Sequence, residues 1–192
     1  MTNLRNDLQE EPRFSRRVDV IEANLNEVSE KLLDLLKFSQ RIGFIRTTTK
    51  WNDVVREALI WLAAERQRRG VEVHAVYGDL PPLFIEPNEM FGVLVTVLRL
   101  AMESLETHGG LVKIRTCAGS QCVRTEILAP EAPLAGAVSS IIEPAAGAPE
   151  ELSPLHFEWA LARETVETQY AGSLKWQVRD KEAIFVLELP KL

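Results

Sequence analysis

The side chains best suited to chemistry are few in this chain, and their spacing narrows what they can do. Three histidines, His74, His108 and His156, stand far apart with no ligand spacing between them, so a zinc-type site has no template. Two cysteines, Cys117 and Cys122, flank Ala-Gly-Ser-Gln, which reads as a turn between two strands. Thiols facing each other across such a hairpin would be close enough to oxidise, which makes a redox switch; the plainer reading is two small strand residues kept reduced. Two acids, Glu86 and Glu89, bracket Pro87 at the head of the apolar run Glu86–Leu105, where they favour the positive end of a helix dipole.

That run is the element around which the others must be arranged. Met90, Leu94, Val97, Leu98, Ala101 and Leu105 follow a helical stripe, while Phe91, Val95, Leu100 and Met102 fill other faces. A helix apolar nearly all round is buried, so it belongs at the centre of a sandwich, with a sheet on one side and helices beside it. Before it, Phe44-Ile-Arg-Thr-Thr-Thr suits an edge strand. Trp51–Arg69 reads as an amphipathic helix with Val54, Val55, Ala58, Leu59, Leu62 and Ala63 inward, stopped by Gly70. Val71–Tyr77 alternates as a strand does, which puts His74 on its outer face, and Leu80–Ile85 leads into the central helix. After it, Leu111–Cys117 and Cys122–Leu128 read as strands. Ala160–Tyr170 is expected to be a helix with Leu161, Val166 and Tyr170 in the core, ended by Gly172, and Ser173–Arg179 with Ala183–Leu189 a closing hairpin. Ala129–Pro154 is rich in Ala, Pro, Gly and Glu and lacks a period apart from the short apolar Val138–Ile142; chain of that kind is a lid or disordered.

At the N-terminus, residues 1–14 are polar and interrupted by Pro12, which is expected to leave a loose tail or a short capping segment. From Ser15 the pattern turns helical. Val18, Ile21, Leu25, Val28, Leu32, Leu35 and Ser39 follow alternating steps of three and four, a heptad seam that Leu33 and Leu36 widen toward a bundle stripe. Residues 15–42 are therefore expected to form a helix for self-association, with packing onto the chain's own domain as the competing use.

The central run, with Glu-Pro, Met-Phe, Val-Leu and Val-Leu-Arg-Leu-Ala-Met-Glu-Ser followed by Gly109-Gly110 and Val112-Lys-Ile-Arg-Thr, resembles the N-box helix and next strand of the ATP-binding lobe of sensor histidine kinases. Glu30-Lys-Leu-Leu-Asp-Leu-Leu-Lys-Phe-Ser-Gln resembles the close of the second helix of their dimerisation and phosphotransfer hairpin, and Phe185-Val-Leu-Glu-Leu-Pro matches their last strand. The resemblance covers about residues 20–190. It implies a two-layer α/β sandwich of the histidine-kinase ATPase type, a mixed sheet with helices on one face, preceded by a long dimerisation helix. The lobe would span 43–192, with a flexible lid at 129–154.

The resemblance also implies where nucleotide chemistry would sit, and there this chain departs from the family. The two N-box asparagines, the second of which chelates the magnesium of ATP, fall on Thr96 and Leu100, and a leucine offers no oxygen to a hard cation. In the first glycine box the adenine-binding aspartate falls on Ala129 and the glycines on Glu131 and Pro133. In the second, His156 and Glu158 stand where glycines would open the backbone to phosphate, and a carboxylate there repels it. The phosphoacceptor histidine of the family lies on the first hairpin helix, yet no histidine precedes His74.

The 192 residues hold 46% hydrophobic and 26% charged side chains, a soluble domain with an adequate core. The net charge of −6 argues against nucleic acid or an anionic membrane surface as partner. No run is long enough to span a membrane and no secretory hydrophobic region opens the chain, so a cytoplasmic location is expected. The expectation is thus a pseudokinase-like protein without cofactor or metal. It would be homodimeric and act by contact with a response regulator or a histidine kinase; a phosphorelay phosphotransferase and an unorthodox ATP-binding sensor kinase are the alternatives.

Overall fold

Strict alternation along three strands builds the floor of the molecule. In the computed structural model Val112, Ile114 and Thr116 point inward from one strand, Val123, Thr125, Ile127 and Ala129 from the next, and Ala183, Phe185, Leu187 and Leu189 from a third. The chain divides at Phe44/Ile45 into two units, and the residues described belong to the second: 45–105, 109–130, 132–133, 135–142 and 154–191. The stripe Val18, Ile21, Leu25, Val28, Leu32 and Leu35 lies outside them.

Within that unit the order is β1 (Thr47–Thr49), α1 (Trp51–Trp61), α2 (Ala63–Arg69), β2 (Val71–Tyr77), β3 (Leu83–Ile85), α3 (Pro87–Glu103), β4 (Gly110–Ala118) and β5 (Cys122–Ala129). There follow α4 (Ala135–Ile142), α5 (Pro154–Glu164) running into one π-helical turn (Thr165–Gln169), β6 (Ser173–Arg179) and β7 (Glu182–Pro190). Five strands form one sheet in the order β2-β4-β5-β7-β6, with β2 parallel to β4 and the other neighbours antiparallel, so the sheet is mixed. β1 and β3 make a separate two-stranded antiparallel ribbon.

The helices cover one face of the sheet. α3 lies at the centre, with α1 and α5 beside it and β5 and β7 beneath. Its start is fixed locally: Glu86 caps it by accepting from the backbone N–H groups of Asn88 and Glu89, and Pro87 occupies the first turn. Eleven of its side chains are buried, among them Met90, Leu94, Leu100 and Ala101 at 0% exposure. Each large apolar side chain so buried contributes roughly 1.5–3 kcal/mol. From α1, Trp51 reaches the sheet and donates from Nε1 to Thr125 Oγ1 at 2.7 Å.

Four sequence expectations are corrected. Trp51–Arg69 is broken at Leu62 into two helices; α2 has no buried residue, Ala63 included, so no apolar contact holds it on the axis of α1. Leu161 is 44% exposed rather than in the core. The helix carrying it begins at Pro154 and buries Trp159, Ala162, Thr165 and Val166, a face about 100° from Leu161. Part of Ala129–Pro154 is ordered as α4, whose Ala135, Val138 and Ile142 recur at helical steps and enter the same core. The two thiols do not oppose each other: Cys117 lies across from Arg124 and Cys122 from Pro190. A diagonal offset separates them by about 7–8 Å, wider than a disulfide spans without backbone movement.

Candidate functional site

Thr96 and Leu100 sit one turn apart on α3, and both are packed. Thr96 is 8% exposed and Leu100 wholly covered. β5 ends in Ala129, likewise at 0%, and the chain then turns back, with Ala132 N donating to Lys181 O at 2.6 Å between β6 and β7. α4 follows and packs on α3, α5 and β6, which adds Ala132, Ala135 and Val138 to the apolar cluster that contains Leu100 and Ala129. The structure thus brings Leu100 and Ala129 together in one core. Pro133 is exposed at the surface, and Glu131 lies outside the described residues.

His156 and Glu158 stand inside the first turns of α5, since that helix begins at Pro154. His156 Nδ1 lies 2.7 Å from Ile141 O, joining the start of α5 to the last turn of α4, and its ring meets Phe157 edge to face. Both His156 and Glu158 are half-buried. Of the other histidines, His74 is exposed on β2 and His108 lies outside the described residues. A groove of about 300 Å3 runs along α5, lined by His156, Trp159, Arg163, Glu164, Glu167 and neighbours. It includes none of Thr96, Leu100 or Ala129. Among the described residues, no group of three or more His, Cys, Asp or Glu side chains is placed to hold a metal ion.

Sequence reasoning missed a polar cluster at the N-terminus of α3. Tyr170, just past the π turn, donates from its hydroxyl to Glu89 Oε2 at 2.6 Å and accepts from Glu86 N at 3.1 Å. Glu86 in turn accepts from Asn88 N, Asn88 Nδ2 and Glu89 N. Glu89 is 2%, Glu86 7% and Tyr170 7% exposed, so these three side chains are internal, while Asn88 lies at the surface. Tyr170 was legible as core, but its hydroxyl partner lies 81 residues away, and no local pattern carries that information.

Burial, reinforced by the hydrogen bond to Glu89, pushes the Tyr170 hydroxyl up from 10.0 to about 12. The folded state therefore prefers the neutral phenol. Its contribution is full below about pH 10, where the unfolded chain also keeps its proton, and is lost as pH rises toward about 12. Between those limits stability is expected to fall by roughly 1–3 kcal/mol more in the wild type than in Tyr170→Phe. Urea midpoints of both proteins from pH 9 to 11.5 check this; parallel curves would rule it out.

No family model matches the sequence, and neither does any curated protein. Solved structures do match. The catalytic domain of histidine kinase ThkA, in a nucleotide-free form, aligns at 18% identity over 76% of this chain and 95% of its own, with a TM-score of 0.61. ThkA in complex with the response regulator TrrA aligns over 100% of this chain and 55% of that one at 16% identity, with a TM-score of 0.65. The Acinetobacter baumannii histidine kinase AdeS aligns over 94% and 85% at 15% identity, with a TM-score of 0.58. At such identities what is shared is the fold: the lobe has the mixed α/β architecture of histidine-kinase catalytic domains.

Proposed function

We propose that the chain is a non-catalytic, histidine-kinase-like signalling protein that works by protein contact in a two-component pathway, with a response regulator or a histidine kinase as its partner. The observation that carries this reading is the burial of Leu100. At the position where the resemblance requires a magnesium ligand stands a side chain with no oxygen and 0% exposure, packed among apolar neighbours. Ala129, equally covered, offers no carboxylate to an adenine amino group. His156 and Glu158 lie within a helix, where side-chain bulk occupies the space that glycines would leave to phosphate. The match to a kinase solved with its response regulator favours a regulator as partner. In this reading residues 15–42 form a homodimerisation helix, and 129–154 keep the position of the lid without its nucleotide.

The test is a calorimetric titration of the full chain with ATP and magnesium. No saturable binding is expected tighter than about 0.1 mM, roughly −5.5 kcal/mol. Saturable binding below that concentration would revive an ATP-dependent kinase.

A further inference from the structure

The described lead-in, Ile45–Arg46, precedes the β1–β3 ribbon and is fastened to the lobe through the exposed Arg46. Arg46 donates from Nη2 to Gln169 O at 2.5 Å, and its guanidinium lies 4.6 Å from the centroid of the Tyr170 ring. The ground it holds is unusual. Thr165–Gln169 is a π turn, Ala171 is held at a φ of 48°, and Gly172 presses so closely on Glu188 O that a Cβ would collide with it. Such strained backbone persists where the surroundings over-determine it, and π turns recur at functional positions. Here the strain delivers the Tyr170 hydroxyl to Glu86 N and Glu89 Oε2, inside the first turn of α3.

We infer that Arg46, Tyr170 and the Glu86/Glu89 cap form a conformational latch through which the position of the lead-in segment sets the order of the first turn of the central helix. The chain of contacts is continuous. Guanidinium packs on ring, ring carries hydroxyl, hydroxyl holds Glu89 and the Glu86 amide, and Glu86 holds the amides of Asn88 and Glu89. A partner that draws the lead-in segment off the lobe must break the stack first, so Tyr170 loses the guanidinium that covers its outer face. Tyr170 is a positioning residue in this device. The device concerns the lobe's own mobility and stands whether or not nucleotide binds.

Hydrogen exchange on the full chain, read at the amides of Glu86, Asn88 and Glu89, tests it. Arg46→Ala is expected to speed exchange at these three amides about tenfold, as loss of a local closing interaction does. Tyr170→Phe, which keeps a ring for Arg46 but lacks the hydroxyl, should speed them at least as much. The double variant should then be no faster than Tyr170→Phe alone, because both act through the same hydroxyl. Amides of Val54–Leu59 in α1 should not change. Arg46→Lys, which keeps the charge but not the flat stack, should fall between wild type and Arg46→Ala and supplies the reading if the alanine variant does not fold. A change confined to Thr47–Thr49, or additive effects in the double variant, would overturn the latch.

Discussion

Leu100→Asn is expected to lower the unfolding free energy by roughly 2–5 kcal/mol and to give no nucleotide binding in return. The substitution supplies the oxygen that the resemblance would require there. It does so inside a core, since Leu100 is fully buried and clusters with Leu94, Ala101, Ala129 and Val138. Two costs add: the apolar contacts of a leucine are lost, and an amide is buried away from water with no partner placed for it. A magnesium ion would meet the same apolar wall. Urea denaturation of the wild type and the variant gives the stability change, and calorimetry with magnesium-ATP gives the binding. A variant that bound nucleotide would mean that the site is one side chain short of function, against a non-catalytic reading. The stability loss alone, without binding, is the expected pair of results.

The second large effect concerns assembly. Leu25→Glu with Leu32→Glu is expected to convert the proposed homodimer into a folded monomer. The stripe Val18, Ile21, Leu25, Val28, Leu32 and Leu35 sits at heptad steps, and each such side chain gains roughly 1.5–3 kcal/mol on full burial. Two carboxylates in that seam would have to be desolvated, which a dimer contact does not compensate. The lobe retains its own core, from Trp51 to Leu189, and should stay folded. Light scattering at tens of micromolar, with circular dichroism for the fold, decides the matter. A wild type already monomeric, or a double variant whose lobe unfolds, would assign the stripe to the chain's own core and discard the dimer.

The elements and their faces were legible because they depend on neighbours in sequence. Alternation in Val71–Tyr77 and Ala183–Leu189 and the many-sided apolar pattern of Glu86–Leu105 mark strands and a central helix whatever lies around them. Gly70 ends α2 in the left-handed conformation that its place after Arg69 foretold. The same local logic failed where composition hid the period, as in the Ala-, Gly- and Ser-rich α4, or where a helix began at Pro154, nearly two turns before the expected Ala160, as with the helix that carries Leu161. At the candidate site, residue types alone stated what Leu100 and Ala129 lack. That both lie in one packed core was decided by the tertiary fold, as was the residue that stands across the sheet from each cysteine. The contacts that only the fold could supply are the distant ones. Arg46 reaches Gln169 across 123 residues and Tyr170 reaches Glu89 across 81, and a period of two or 3.6 residues constrains neither. Sequence periodicity determines which side of an element is apolar; which polar groups meet when those sides are buried depends on how the elements stack.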